Sequence, residues 1–116
     1  MHHFLNPYIS YFAKVDFREQ DDLFGIYQHD RLFGMYLLGK TGSGKTNVMK
    51  TLIYQDIIHS RGFCLFDING DLLKEVLALI PKHRTKDIVL LDATNPNIEI
   101  GYNPLKKVSY QKRALI

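Results

Sequence analysis

The chain has 116 residues, 46% of them hydrophobic and 23% charged, with a formal net charge of +3. This length suits one domain or a piece of a larger one, and the balance excludes wholesale disorder. The lone cysteine excludes an internal disulfide, and no apolar run reaches the ~18 residues that cross a bilayer.

The mild positive charge leans towards anionic partners without singling out nucleic acid. The start, MHHFLNPYIS, lacks a signal-peptide pattern. The expectation is a cytosolic protein, with any membrane association supplied by another segment or chain.

Residues 1–22 are aromatic-rich and then acidic, without a clear period, and are expected to form an arm or a strand with loops. LFGIYQ, Leu23 to Gln28, reads as a short strand, and MYLLG, Met35 to Gly39, as a more apolar one. From Gly44 the period changes. Val48, Met49, Leu52, Ile53, Ile57 and Ile58 recur at helical spacing, with Asn47, Lys50, Gln55 and Asp56 mostly on the other side. This helix is expected to reach His59 or Ser60, with Gly62 as its stop signal.

GFCLFDI is a continuous apolar run of the kind that forms a strand covered on both faces, which makes Cys64 a buried structural thiol. Asn69-Gly70 is a hairpin signal in other settings. Here DLLKEVLALIP follows with helical spacing at Leu72, Leu73, Val76, Leu77 and Ile80, so the pair reads as a strand-to-helix turn. Asp71 suits the helix cap and Pro81 its end. DIVLLDA, Asp87 to Ala93, reads as another buried strand. The tail holds turn signals, room for a short strand and the opening of a helix. Strands alternating with helices imply an α/β fold with a parallel sheet and right-handed crossovers. Ligands of such folds bind at the carboxyl ends of strands, and Gly39 follows one.

At that junction GKTGSGKT satisfies G-x-x-x-x-G-K-[ST], the phosphate-binding loop or Walker A motif. Gly39 releases the chain from the strand, while Gly42 and Gly44 permit backbone shapes closed to other residues. The amides of Thr41 to Lys45, including that of Ser43, are expected to point inward as a nest for phosphate oxygens. The helix start adds free N–H groups and its positive dipole end. Lys45 reaches the β and γ phosphates, and the Thr46 hydroxyl suits Mg²⁺. Lys40 is less diagnostic beyond its backbone amide.

The loop identifies a nucleotide site and leaves the reaction open. Asp67, ending CLFD, and Asp92, ending IVLLD, compete as strand-end carboxylates able to hold Mg²⁺ through water; the alternative for both is a cap of the following turn, and for Asp92 that is the preferred reading. Asp67 to Gly70 also spells the D-x-x-G of small GTPases. Lys45 and Asp67 leave room for only one helix and one strand, however, and no N-K-x-D motif follows.

In order, FGIYQHDRLFGMYLLGKTGSGKTNVMKTLIYQDI, GFCLFDINGDLL, IPKHRTKDIVLLDATNP and GYNPL resemble the HerA-like ATPases related to conjugative DNA-transfer and type IV secretion coupling proteins. Asp67, Gly70 and Asp71 match that group's D-P-H-G-D-L motif, with Ile68 and Asn69 standing in place of Pro and His. The resemblance spans roughly residues 23–105. It implies a RecA-like three-layer P-loop NTPase fold, incomplete over residues 23–116, since the Walker B acids, sensors and arginine finger would follow Ile116. It also implies ATP and Mg²⁺ as cofactors, Lys45 and Asp67 as catalytic residues, and a homo-hexamer that moves DNA beside membrane-anchored secretion machinery. The alternative is a nucleotide-binding module without hydrolysis, with a GTPase or small-molecule kinase behind it.

Overall fold

The β-branched and aromatic residues of ISYFAK and LFGIY favour a pleated pair. In the computed structural model, which describes residues 6–17, 22–92 and 94–95, they form an antiparallel hairpin. Strand β1, Ile9–Lys14, pairs with β2, Leu23–Tyr27, setting Ile9 against Tyr27 and Ser10 against Ile26. A bulge between Tyr11 and Ala13 leaves Phe12 as the extra residue. Its ring meets Phe24 edge-on, with centroids 5.5 Å apart. The chain divides into two compact units, Met1–His83 and Arg84–Ile116.

A 3₁₀ turn, Asp30–Phe33, follows the hairpin and ends at Gly34. Helix α1, Lys45–Ile58, begins after Gly44 and closes with a Schellman motif. Ser60 takes the left-handed position at φ 55°. Its N–H donates to the Ile57 carbonyl at 3.1 Å, and the Arg61 N–H donates to the Asp56 carbonyl at 2.8 Å. Ser60 thus ends the helix before Gly62 is reached. Helix α2, Asp71–Leu79, starts from left-handed Gly70 and stops before Pro81. Ile57 of α1 packs with Leu72 and Val76 of α2, and Ile53, Leu65 and Ile80 close around them.

The expected RecA-like three-layer fold with a mostly parallel sheet is not the one observed. Among the described residues the sheet is the two-stranded antiparallel pair alone. The three runs expected as strands, Met35 to Gly39, Phe63 to Ile68 and Asp87 to Ala93, carry no ladder where described. Large apolar side chains in each face solvent, Tyr36 at 88%, Phe66 at 88% and Val89 at 84% exposure, while Leu65 turns to the core. Cys64 is exposed as well.

The physical reason lies on α1. Gln55 and Asp56, expected on the solvent side, are buried at 7% and 4% exposure, while Met49 and Ile58 of the expected core face are exposed. The Gln55 side chain pairs with the Tyr11 backbone: the Tyr11 N–H donates to Oε1 at 2.8 Å, and Nε2 donates to the Tyr11 carbonyl at 2.6 Å. Asp56 receives Arg31 and Arg61. Two satisfied polar side chains therefore hold the hairpin against the helix face that a parallel sheet would need.

Within the second unit, the Ile88 N–H donates to the Thr85 carbonyl at 3.3 Å, and Arg84 faces Asp87 at 3.5 Å. The tail's expected strand and helix, with the NPL stretch, lie outside the described residues. No helix among the described residues is long and apolar enough to cross a membrane.

Candidate phosphate-binding loop

The loop is built by the chain that enters α1. Gly42 and Gly44 sit at φ 79° and 90°, where a side chain would strain the backbone. A Cβ on Gly39 would meet the Ser43 hydroxyl, which would have to rotate away. The Ser43 N–H donates to the Lys40 carbonyl at 3.2 Å, and the Val48 N–H to the Gly44 carbonyl at 3.1 Å, opening the first helical turn.

Lys45, the first residue of α1, folds back over this turn. Its Nζ donates to the carbonyls of Gly39 at 2.7 Å and Lys40 at 2.8 Å. The ammonium group thereby closes Gly39, Lys40, Thr41, Gly42, Ser43 and Gly44 into a ring. Thr46 follows on the exposed first turn of the helix.

Electrostatics favour an anion here. The α1 N-terminus has no side-chain cap and no acidic residue in its first turn. A helix start ordinarily attracts such groups because its unpaired N–H groups carry partial positive charge. Between Gly34 and Gln55 the sequence holds Lys40, Lys45 and Lys50 and no acid. An oxyanion at the ring would meet the Lys45 ammonium group beside the uncapped helix start. The bonds Lys45 could form with the anion's charged oxygens are stronger than those to the neutral carbonyl acceptors they would replace.

Asp67 is placed differently. Its Oδ2 accepts the Leu73 N–H at 2.9 Å and its Oδ1 the Asn69 N–H at 3.2 Å, so it caps the start of α2. The Leu73 amide is the main reason its carboxyl lies below the ordinary value of 3.8; burial opposes the shift, and the amides of Gly70, Asn69 and Leu72 add to it. Because the folded state lowers this pKa, the carboxylate's contribution is complete above 3.8 and is lost as pH falls through the lower folded value. Acidification from about pH 5 to pH 2 is therefore expected to loosen the first turn of α2. The amide resonance of Leu73 would report it, and Asp67→Asn should remove the transition.

Asp92 forms a separate small turn. Its Oδ1 accepts the Thr94 hydroxyl at 2.6 Å and the Thr94 N–H at 2.9 Å, and these lower its pKa, the hydroxyl most. No group of three or more potential metal-ligating side chains occurs among the described residues.

The cluster that sequence reasoning missed is the polar anchor at the far end of α1. Arg31 NH1 and NH2 donate to the two carboxylate oxygens of Asp56 at 2.8 and 2.9 Å, and Arg61 Nε donates to Oδ1 at 2.9 Å. Ser10, fully buried, accepts from Arg31 NH1 at 3.0 Å and from Gln28 Nε2. The only hint in the sequence was an aspartate beside the apolar positions of α1. Comparisons of the chain with protein-family models, curated proteins and solved structures gave no match.

Proposed function

We propose that the chain binds the polyphosphate of Mg-ATP through Gly39 to Thr46, as the nucleotide-binding part of a HerA-like DNA-translocating ATPase. The observation that carries this reading is the ring closed by Lys45, whose ammonium group bridges the Gly39 and Lys40 carbonyls at the uncapped start of α1. Lys45 neutralises the β and γ phosphates, Thr46 meets Mg²⁺, and the amides of Thr41 to Lys45 hold phosphate oxygens. The order of the motifs from FGI…DR through DINGDLL to NPL supports the translocase context. That context includes DNA as substrate, a homo-hexameric ring, a cytoplasmic location and membrane-anchored secretion or conjugation machinery as partner. The reading rests on the loop and the motif order, not on a parallel sheet.

A second reading, a module that holds Mg-ATP without turnover, is favoured by one observation. Both Asp67 oxygens accept backbone amides of the α2 turn, so this carboxylate already has a structural task.

Calorimetric titration with Mg-ATP tests binding, and phosphate release under saturating ATP separates the readings. A saturable heat of association is expected. Its absence from protein with native far-UV circular dichroism would overturn nucleotide binding. Saturable binding with phosphate release no faster than that of Lys45→Ala would favour the module.

A further inference from the structure

We propose that Arg31 is a positioning residue for the phosphate loop, clamping the loop's entry to α1 through Asp56 when Lys45 leaves the Gly39 and Lys40 carbonyls for a bound phosphate. This inference rests on the nucleotide reading above and deepens it.

The chain from Arg31 to Asp56 is a closed circuit. It runs through the 3₁₀ turn, the entry residues 35–38, the loop and α1, and the guanidinium–carboxylate fork joins its ends. The entry residues are loosely attached. The backbone bonds that flank them are Gly34 N–H to Arg31 carbonyl and Ser43 N–H to Lys40 carbonyl, and Tyr36 and Leu38 are largely exposed. Between the entry and the helix lies an open cleft of about 400 Å³, lined by Arg31, Met35, Leu37, Met49 and Leu52. Space separates part of the two walls, so packing holds their distance only in part. Two polar ties add to it: Lys45 at the loop end and Arg31 at the other.

Phosphate binding recruits the first tie. A phosphate oxygen is a charged acceptor and competes for the ammonium protons now given to Gly39 and Lys40. The entry chain then depends on Arg31. Its guanidinium is well held for that purpose, since NH1 also donates to Ser10 Oγ at 3.0 Å and Gln28 Oε1 at 3.2 Å. Asp56 in turn is fixed on α1 and shared with Arg61. A planar fork resists rotation in a way that a lysine point charge does not.

The test is Arg31→Lys, which keeps the charge while the hairpin stays attached through Gln55 and Tyr11. Mg-ATP affinity is expected to fall about tenfold. Backbone hydrogen exchange over 35–44 should quicken in the nucleotide-bound protein, with α2 unchanged. Ser10→Ala, which frees one edge of the guanidinium, should give the same pattern at smaller size, and it decides the matter if the lysine variant does not fold. The clamp is overturned if affinity stays within about twofold of wild type with unchanged exchange. It is equally overturned if exchange in α2 quickens as much as in 35–44, the mark of a merely structural role. Should wild-type protein not bind Mg-ATP, the nucleotide reading falls by itself. Ligand-free exchange over 35–44 then judges the clamp, faster in the variant supporting it and unchanged overturning it.

Discussion

Asp56→Ala is expected to destabilise the chain by about 3 kcal/mol, the lower end of the range for breaking a buried ion pair. The Asp56 side chain is 6% exposed and is shared by two guanidinium groups. Without it, Arg31 and Arg61 lose the carboxylate that holds their two positive charges close together. Both retain roughly a quarter of their surface in water, 23% and 25%, and this solvation keeps the effect from the top of the range. Against a total of about 5–15 kcal/mol for an ordinary domain the loss is large. The buried apolar residues among those described are few, Leu52, Ile57, Leu72 and Val76. In urea the midpoint should fall by about 1–3 M. Asp56→Asn should be milder, because the amide oxygen still accepts one guanidinium N–H. An unchanged midpoint for Asp56→Ala would show that the hairpin is held by Gln55 without help from the ion pairs.

Lys45→Ala is expected to weaken Mg-ATP binding by about 10- to 100-fold, the worth of a charge-assisted hydrogen bond to phosphate. The ligand-free protein should hardly notice. The two carbonyl bonds Lys45 makes are solvent-exposed, and exposed substitutions of this kind usually change stability by less than about 0.5–1 kcal/mol. Affinity and melting temperature should therefore separate in this variant, while both move in Asp56→Ala. Added salt should weaken wild-type binding more than Lys45→Ala binding, because screening acts on the ammonium–phosphate attraction. Equal affinity for the two proteins would remove Lys45 from the site.

The elements legible in the sequence are those that neighbouring residues decide. The helix read from Gly44 to about His59 is α1, Lys45–Ile58, and the helix read after Gly70 is α2, Asp71–Leu79. LFGIYQ is close to β2, Leu23–Tyr27. Periodicity, left-handed glycines and a proline stop are local signals. The loop was legible for the same reason: its glycines and Lys45 lie within one short stretch.

The misreadings share one cause. Apolar periodicity placed Gln55 and Asp56 in water, because a lone glutamine or aspartate on a helix ordinarily belongs there. Their partners, Tyr11 and Arg31, are distant in sequence, and no local pattern announces such pairs. Once these side chains are buried against the hairpin, the helix face assigned to a parallel sheet is partly taken. The runs at Met35, Phe63 and Asp87 were then read as strands from hydrophobicity alone, and hydrophobicity does not supply a ladder partner. Cys64 was assigned to the core on the same ground.

The sequence by itself therefore determined the two helices, the turn at Gly70 and the glycine–lysine loop, since each depends on backbone preferences within a few residues. Only the tertiary structure decided that a hairpin, not a sheet, lies against α1. That outcome depends on which distant donors satisfy buried acceptors, and the order of residues along the chain does not contain that geometry.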